Sequence, residues 1–178
     1  MRVIAGTAKG TRLSAPQGRD IRPTLDRVRT SLFDIIHNRI AGTTFLDLFA
    51  GTGANGIEAL SRGAERAYFV ECSKKTIPYI EANLEKTHFA DKGIIIKAEL
   101  PQDIFLLPTG MDIVFMDPPY NFNKWDTLLP RLEEHKIFAA ESLVIIEHSR
   151  FNFPPEQFPT LKKSREEKYG DTILSFYC

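Results

Sequence analysis

The chain has 178 residues, which is room for one domain, because single hydrophobic cores divide into separate domains beyond about 250 residues. Hydrophobic residues make up 43% and charged residues 26%, as in soluble globular proteins, and no apolar run reaches the roughly 20 residues of a membrane helix. Two cysteines are too few for a disulfide scaffold, and no Cys/His cluster has the spacing of metal ligands. The first ten residues lack a signal-peptide core, which predicts a cytoplasmic protein.

Charge is distributed unevenly along the chain. The 23 basic and 23 acidic residues balance. Residues 1–40, however, hold eight basic side chains against three acidic ones, a local excess of +5. Most of these basic residues are arginines, whose planar guanidinium suits phosphate. The segment is therefore either an arm that contacts nucleic acid or a solvated loop region.

The first 42 residues are predicted to form a hairpin and a helix. Residues 2–5 and 11–13 flank a glycine-containing turn, which is typical of a short hairpin. Thr24 can cap a helix that ends at Gly42. Its apolar residues recur at helical spacing: Leu25, Val28, Leu32, Ile35, Ile36 and Ile40.

From residue 43 onward, short apolar runs alternate with helical patterns. The predicted strands are 44–49, 67–71, 93–97, 111–116 and 142–147, and the predicted helices are 54–62, 76–86, 102–107 and 125–135. This alternation predicts an α/β fold with a largely parallel sheet. Two further runs, 161–168 and 172–177, are separated by a turn at Tyr169-Gly170-Asp171 and predict an antiparallel hairpin at the end of a seven-stranded sheet.

A glycine-rich loop follows the first of these strands. Gly51, Gly53 and Gly56 match the G-x-G-x-x-G pattern of nucleotide-binding folds, in which the backbone approaches a ligand closely. Glu71 ends the next strand, where a carboxylate can accept hydrogen bonds from both ribose hydroxyls of a nucleotide cofactor. Cys72 follows Glu71 directly, so its position alone predicts that it lies close to the cofactor.

Asp47 separates two classes of cofactor. A dinucleotide places its pyrophosphate at the start of the helix after the loop, and a carboxylate nearby would repel it. S-adenosylmethionine carries no phosphate but an ammonium and a sulfonium group. Asp47, just before the glycines, therefore favours S-adenosylmethionine.

The motif Asp117-Pro118-Pro119-Tyr120 follows the fourth strand. Two prolines fix the backbone and remove two N–H donors, so that carbonyl groups and the aspartate remain as acceptors. Acceptors at this point can grip an exocyclic amine of a nucleobase and stabilise the charge that develops as its nitrogen attacks a methyl group. Tyr120 is predicted to stack on the base, and Phe122 and Trp125 are candidates for the pocket wall.

Taken together, these motifs resemble those of the RsmD family of 16S rRNA guanine-N2 methyltransferases. The likeness lies in Asp47–Gly53, in Gly56–Ala64, in Val70-Glu71 and in Asp117–Tyr120. It continues outside the general methyltransferase motifs, in Arg2–Gly6, Lys9-Gly10, Arg22–Thr24, Asp26–Val28, Leu32-Phe33 and Tyr169–Thr172. The resemblance covers essentially the whole chain. It implies a Rossmann-like class I S-adenosylmethionine-dependent methyltransferase, in which a basic extension, 1–42, precedes a catalytic core, 43–178.

The same resemblance assigns roles to individual residues. The expected catalytic residues are Asp117, Pro118, Pro119 and Tyr120. The expected cofactor-binding residues are Asp47, Phe49, Ala50, Gly51, Thr52, Gly53, Glu71, Cys72, Ala98, Glu99 and Asp117. The expected substrate-binding residues are Arg22, Thr24, Arg27, Tyr120 and Phe122. The implied substrate is one guanine of 16S rRNA in the small ribosomal subunit or an assembly intermediate, and the protein is expected to act as a monomer without a membrane.

Three other functions remain open at this stage. The acceptor motif suits any exocyclic amine, so an adenine-N6 or cytosine-N4 methyltransferase of DNA or RNA is the main alternative. A chain this short has no separate target-recognition domain, which disfavours it. A non-catalytic RNA-binding scaffold and a dehydrogenase are the remaining alternatives.

Overall fold

A computed structural model describes residues 1–16, 23–119 and 121–178, without the side chains of residues 23–25. The chain divides into two compact units, Met1–Lys97 and Ala98–Cys178. Seven strands form one mixed sheet, which confirms the predicted α/β class with mostly parallel strands and an antiparallel hairpin at the end. Within the described ranges, no helix has the length and apolarity needed to cross a bilayer.

The first unit contains three parallel strands in the order β3-β2-β1. Its apolar runs form β-strands because they are short and rich in Phe, Val and Ile; β1 is the most buried of the three, and β3 is half-buried. The elements are α1 (Pro23–Ile35), β1 (Thr44–Leu48), α2 (Ala54–Ser61), β2 (Arg66–Glu71), α3 (Ile77–Lys86) and β3 (Gly93–Lys97), with one 3₁₀ turn at His37–Arg39.

The N-terminal hairpin is present as antiparallel pairing without regular strands. Arg2 and Arg12 form an isolated bridge, and the Val3 amide donates to the Thr11 carbonyl at 3.0 Å. Fully buried Glu58 on α2 holds this segment, since its two carboxylate oxygens accept the amides of Ile4 at 2.7 Å and Ala5 at 3.0 Å. The hairpin is therefore stabilised by side-chain hydrogen bonds and not by a long ladder.

The first helix differs from the prediction at both ends. It begins at Pro23, so Thr24 lies inside the helix and does not precede it as a cap. Proline suits the first helical position because that position has no intrahelical partner for its N–H. The helix stops at Ile35 and a 3₁₀ turn continues to Arg39, which explains why the apolar spacing runs on to Ile40.

The second unit contains four strands in the order β4-β5-β7-β6. Strands β4 and β5 are parallel, whereas β7 runs antiparallel to both β5 and β6. The elements are a 3₁₀ turn at Ile104–Leu106, β4 (Met111–Met116), α4 (Trp125–Glu134), β5 (Phe138–Ser149), β6 (Lys163–Tyr169) and β7 (Thr172–Tyr177).

Two elements of this unit were predicted wrongly. The expected helix at 102–107 is a single 3₁₀ turn, because Pro101 and Pro108 bracket too few residues for a stable α-helix. Strand β5 is longer than the expected 142–147, since its polar end pairs with β7 as far as Ser149 opposite Thr172. The longer strand carries Glu147, His148 and Ser149 to the site described below.

Candidate active site

The glycine loop of the first unit leaves β1 in a strained conformation. The backbone turns through positive φ angles at Phe49 (69°), Gly51 (56°) and Gly53 (78°). A positive φ angle is unusual for a phenylalanine, and non-glycine residues with this conformation are concentrated at ligand sites. Phe49 consequently lies beyond the end of β1, and not within a strand as expected. A Cβ atom at Gly51 would meet no described heavy atom within 4 Å, so there is open space over the loop.

Glu71 ties this loop to the end of β2. One of its carboxylate oxygens accepts the Gly51 amide at 2.8 Å, and the other accepts the Ser73 amide at 2.8 Å. Each carboxylate oxygen has two lone pairs, so each retains capacity for a further donor. Glu71 is thus fixed in direction beside the open space over Gly51 and can still accept two hydroxyl groups.

Asp47 lies at 1% exposure in β1. Its Oδ2 accepts the Gly56 amide at 3.1 Å, which pins the first turn of α2 to the strand. The carboxylate is stabilised at this place because backbone amides at the start of a helix point toward it. The role found for Asp47 is therefore to shape the loop, and its predicted contact with a cationic ligand stays a prediction.

Asn83 of α3 joins the N-terminal segment to the glycine loop. Its side-chain amide donates to the carbonyls of Ser14 and Thr52, both at 3.0 Å, and its oxygen accepts the Ser14 amide at 2.7 Å. Asn83 is fully buried, so the loss of any of these bonds would leave a polar group unsatisfied. The segment before residue 17 therefore lies against the loop.

An open cleft lies at the carboxyl ends of β4 and β5 in the second unit. The cleft contains three residues of the acceptor motif together with polar groups from the ends of β5 and β7 and from the loop beyond β5. Its lining residues are Asp117, Pro118, Pro119, Trp125, Glu147, His148, Ser149, Asn152 and Thr172.

Two carboxyl groups share this cleft. Met116 pairs with Ile146 in the parallel register, so the next residues, Asp117 and Glu147, follow on neighbouring strands at the same end. Asp117 is solvent-exposed as a residue at the mouth, yet the protein atoms packed around its carboxyl group withdraw it from bulk water and raise its pKa to about 6. The pKa of Glu147 is raised well above its ordinary value, mainly by burial and further by the charge of Asp117. An ionised Asp117 therefore favours the protonated form of Glu147.

His148 is a neutral part of the cleft wall. Its Nδ1 lies 2.9 Å from the Ser149 carbonyl, which can only accept, so this nitrogen carries the proton. Its Nε2, at 2.8 Å, accepts the Ser175 hydroxyl. Burial lowers the pKa of His148 and outweighs the carbonyl hydrogen bond that acts in the other direction. The ring consequently orients the ends of β5 and β7 and carries no charge.

Comparisons with known proteins agree with these two motifs. A family model described as conserved hypothetical protein 95 matches residues 1–178. Ribosomal RNA small subunit methyltransferase D (RsmD) of Escherichia coli K12 is 31% identical over 177 residues, which cover 99% of this chain and 89% of that protein. The chain belongs to the RsmD family.

Two further RsmD-like proteins resemble it over their whole length. YlbH of Bacillus subtilis strain 168, a candidate rRNA methyltransferase, is 36% identical over 180 residues, which cover 99% of this chain and 98% of that protein. The solved structure of yhhF, a candidate methyltransferase from Escherichia coli, has a TM-score of 0.88 and 32% identity, and covers 99% of this chain and 96% of that chain. The expected Rossmann-like methyltransferase fold is thereby confirmed.

Within this RsmD-family chain, the predicted cofactor residues of the first unit lie together at the loop. Asp47, Phe49, Ala50, Gly51, Thr52 and Gly53 are consecutive with the end of β1, and Glu71 bonds to Gly51. Cys72 is exposed next to Glu71. In the second unit, Ala98 is buried at 4% exposure, whereas Glu99 is exposed and its amide donates to Asp103 at 2.9 Å.

The predicted substrate residues are only partly placed. Arg22 and Tyr120 lie outside the described residues, and Thr24 is described only as part of α1. Arg27 is exposed on α1. Phe122 packs edge-on against Trp125 with ring centroids 4.9 Å apart, and Trp125 lines the cleft.

Glu147 is the main residue of the cleft that the sequence interpretation missed. A detectable signal was present, since Glu147 follows the apolar run Leu143–Ile146 just as Asp117 follows Ile113–Met116. An acid at the carboxyl end of a parallel strand points to the ligand crevice of an α/β sheet. Asn152 and Thr172 carried no such signal, because their place in the cleft depends on pairing between distant segments.

Proposed function

We propose that this chain is an S-adenosylmethionine-dependent methyltransferase that acts on the exocyclic N2 amine of one guanine in 16S rRNA. The observation that carries the proposal is the Asp117-Pro118-Pro119 cleft in a chain of the RsmD family. Relatives in that family are named ribosomal RNA small subunit methyltransferase D. The cleft presents hydrogen-bond acceptors, among them the Asp117 carboxylate, which suits positioning an amine.

The glycine loop fits the cofactor that this function requires. Bound S-adenosylmethionine supplies an activated methyl group on a sulfonium ion. Glu71 accepts the ribose hydroxyls on the lone pairs that Gly51 and Ser73 leave available. Gly51 presents backbone and open space where a side chain would exclude a ligand. In this proposal, Asp47 adds negative charge that favours a cation, while Ala98 and Glu99 border the adenine.

Asp117 and Pro118 hold the amine. The lone pair of an exocyclic guanine amine is delocalised into the ring, so the nitrogen is a weak nucleophile. Hydrogen bonds from its two N–H groups to the Asp117 carboxylate and the Pro118 carbonyl stabilise the positive charge that develops as the N–C bond forms. The Pro119 carbonyl closes the turn instead, since it accepts the Phe122 amide at 2.8 Å. The methylated amine then releases its proton, for which Asp117 or water is a sufficient acceptor.

Glu147 stays protonated beside the charged Asp117. Two adjacent carboxylates cannot both ionise readily in a shared cleft, and burial together with the charge of Asp117 keeps the proton on Glu147. A neutral carboxyl group offers one donor and one acceptor to the edge of a base. Glu147 therefore supports Asp117 as the ionised acceptor and adds a hydrogen-bonding group.

Basic side chains of residues 1–42 contact the RNA. Five of them are exposed among the described residues: Arg2, Lys9, Arg12, Arg27 and Arg39. Arg29 is excluded from this role, because it is buried at 6% exposure and bonds to the Arg2 carbonyl and to Asp26. Arg2 and Arg12 face each other across the bridge, where like charges repel, and a phosphate would relieve this repulsion.

The wider arrangement follows the same proposal. Residues 1–42 act as an RNA-contacting extension of the catalytic core 43–178, and Arg22, Thr24, Tyr120 and Phe122 complete the substrate contacts. The protein acts in the cytoplasm as a monomer on the small ribosomal subunit or an assembly intermediate.

The test is methylation of small subunits from a strain that lacks this chain. We expect tritium from labelled S-adenosylmethionine to enter 16S rRNA, and nucleoside mass spectrometry to identify N2-methylguanosine. Asp117→Ala should lower turnover about 100-fold or more, as removal of one group that stabilises transition-state charge does. Adenosylhomocysteine binding should be retained, and Asp91→Asn, at an exposed turn, is the matched control.

Three results would count against the proposal. Label on adenine or cytosine amines, or on DNA, would assign a different substrate to the same chemistry. Unchanged methylation by Asp117→Ala would remove the assigned role of the cleft. Absence of any transfer by the wild-type protein, with RNA binding retained, would favour the non-catalytic scaffold.

A further inference from the structure

Two exposed phenylalanines flank a residue of the cleft in sequence. Phe151 is 75% exposed and Phe153 is 67% exposed, in the segment directly after β5. Asn152, between them, lines the cleft. A single exposed hydrophobic side chain needs no explanation, but two aromatic rings on either side of a cleft residue mark a contact surface.

Hydrogen bonds around Asn152 fix the place of these rings. The Asn152 amide group donates to the Phe122 carbonyl, and its oxygen accepts the Trp125 indole N–H at 3.1 Å. The backbone amide of Asn152 donates to the Ser149 hydroxyl at 3.1 Å. Asn152 is thereby held against the cleft wall, while the neighbouring side chains on both sides of it remain in solvent.

The charge beside the rings is small. The Arg150 guanidinium lies over the Phe151 ring, 4.6 Å from its centroid, and its Nε is 3.0 Å from Asp171. Asp171 offsets the charge of Arg150, so the surface offers aromatic faces and one guanidinium without a net positive excess. This combination suits stacking of nucleobases more than capture of phosphates.

We propose that Phe151 and Phe153 are a stacking platform for the unpaired RNA bases that flank the target base. The inference rests on the proposed function, since a base that enters the cleft brings its nearest neighbours in an unpaired strand to this edge. Stacking on phenylalanine is tolerant of base identity because every base has an aromatic face. The platform therefore selects unpaired RNA over duplex, and Asp117 and its neighbours select the amine.

The test compares RNA binding and methylation for variants of the full chain. The probes are a short fluorescein-labelled single-stranded oligoribonucleotide, the matching RNA duplex and intact small subunits. We expect Phe151→Ala and Phe153→Ala each to raise Kd for the single strand about fivefold to a hundredfold. Binding to the duplex should change little. KM for small subunits should rise while kcat at saturating substrate stays within a few-fold of the wild type.

Matched variants separate stacking from general apolarity. Phe105→Ala removes a phenylalanine that is 66% exposed on the 3₁₀ turn of the same unit, and it should leave Kd unchanged. Phe151→Trp should restore or strengthen binding, whereas Phe151→Leu should behave like alanine. Thermal unfolding and adenosylhomocysteine binding confirm that each variant is folded.

Several outcomes would overturn the inference. Equal losses for Phe105→Ala, or full binding by Phe151→Leu, would show that base stacking is not involved. A loss seen with intact subunits but not with the oligoribonucleotide would identify a protein partner in place of RNA. Unchanged Kd and KM in an active enzyme would refute the platform and leave the proposed function standing. Weakened RNA binding by the phenylalanine variants, in a chain that shows no transferase activity, would support the platform and refute the proposed function.

Discussion

At the scale of single residues, the unusual feature is a pair of carboxyl groups in one cleft. Asp117 follows the last residue of β4 and Glu147 lies near the end of β5, where the parallel register brings them to neighbouring positions. Like charges at such positions oppose each other, and burial adds to the cost of ionising both. The raised pKa values of both groups follow from this shared position.

Replacement of Glu147 by glutamine tests this electrostatic description without reference to activity. A carboxyl group whose pKa is raised by folding holds its proton in the folded state and releases it on unfolding, so stability falls as pH rises above the ordinary value of 4.5. Glu147→Gln stays neutral and escapes this fall. The variant should match the wild type near pH 4, and its advantage in the free energy of unfolding should grow as pH rises.

Urea unfolding across this pH range measures the difference. Glu134→Gln, at an exposed position of α4, is the control and should give a curve parallel to the wild type. A parallel curve for Glu147→Gln as well would mean that folding leaves the pKa of Glu147 unperturbed. Glu147→Gln also removes the repulsion between Glu147 and Asp117, so the pH-dependent difference in stability reports the coupled pair and not Glu147 alone.

At the scale of elements, local pattern identified nearly every strand and helix. The β3 and β4 bounds match the prediction, and β1, β2, α2 and α3 differ by one residue at one end. Errors arose where distant pairing decides the structure. Strand β5 extends to Ser149 because β7 pairs with it, and nothing near Ser149 in sequence reveals that partner. Glu147 was missed in the site because it is a single acid after an apolar run, whereas the glycines and Asp117-Pro118-Pro119 are contiguous motifs.

Close packing of α2 on β2 gives an element-level prediction at Gly56. A Cβ atom there would lie 2.3 Å from the ring of Phe69, which is fully buried. Alanine favours an α-helix over glycine by about 1 kcal/mol, but overpacking of a core commonly costs about 1 to 3 kcal/mol. We expect the steric clash to outweigh the gain in helix propensity, because the Phe69 ring is fully buried. Gly56→Ala should therefore destabilise the chain by up to about 2 kcal/mol, the difference between these effects.

A double-mutant cycle shows whether the ring is responsible. Phe69→Leu removes the atoms nearest to the new methyl group, so the cost of Gly56→Ala should be smaller in that background. Chemical denaturation of the four proteins measures the coupling. Equal costs in both backgrounds would point instead to the hydrogen bond between the Gly56 amide and Asp47.

At the scale of the whole molecule, the net charge of zero does not reveal the basic segment that is proposed to contact RNA. The chain is neutral, yet the excess of basic residues lies in its first 40 residues, and folding buries one of them, Arg29. A charge count from the sequence therefore overestimates the cations available to phosphate. RNA affinity must come from a local basic surface together with specific contacts to bases, so it should depend on salt less steeply than a count of eight cations suggests.

Thermal unfolding of the full chain provides the last prediction, because a ligand that binds only the folded state raises Tm. Adenosylhomocysteine at about 100 times its Kd contributes about 2.7 kcal/mol, which corresponds to a rise of about 5 to 10 °C for a chain of this size. Glu71→Ala should reduce this rise because it removes both the ribose acceptor and the bond to Gly51. Asp117→Ala should leave most of it, because the proposed role of Asp117 is to hold the amine and not the cofactor.

NAD should give no rise in Tm, because its pyrophosphate would meet the carboxylate of Asp47 near the glycine loop. A rise with NAD, or an undiminished rise for Glu71→Ala, would show that the loop binds a different nucleotide or binds this one in a different way.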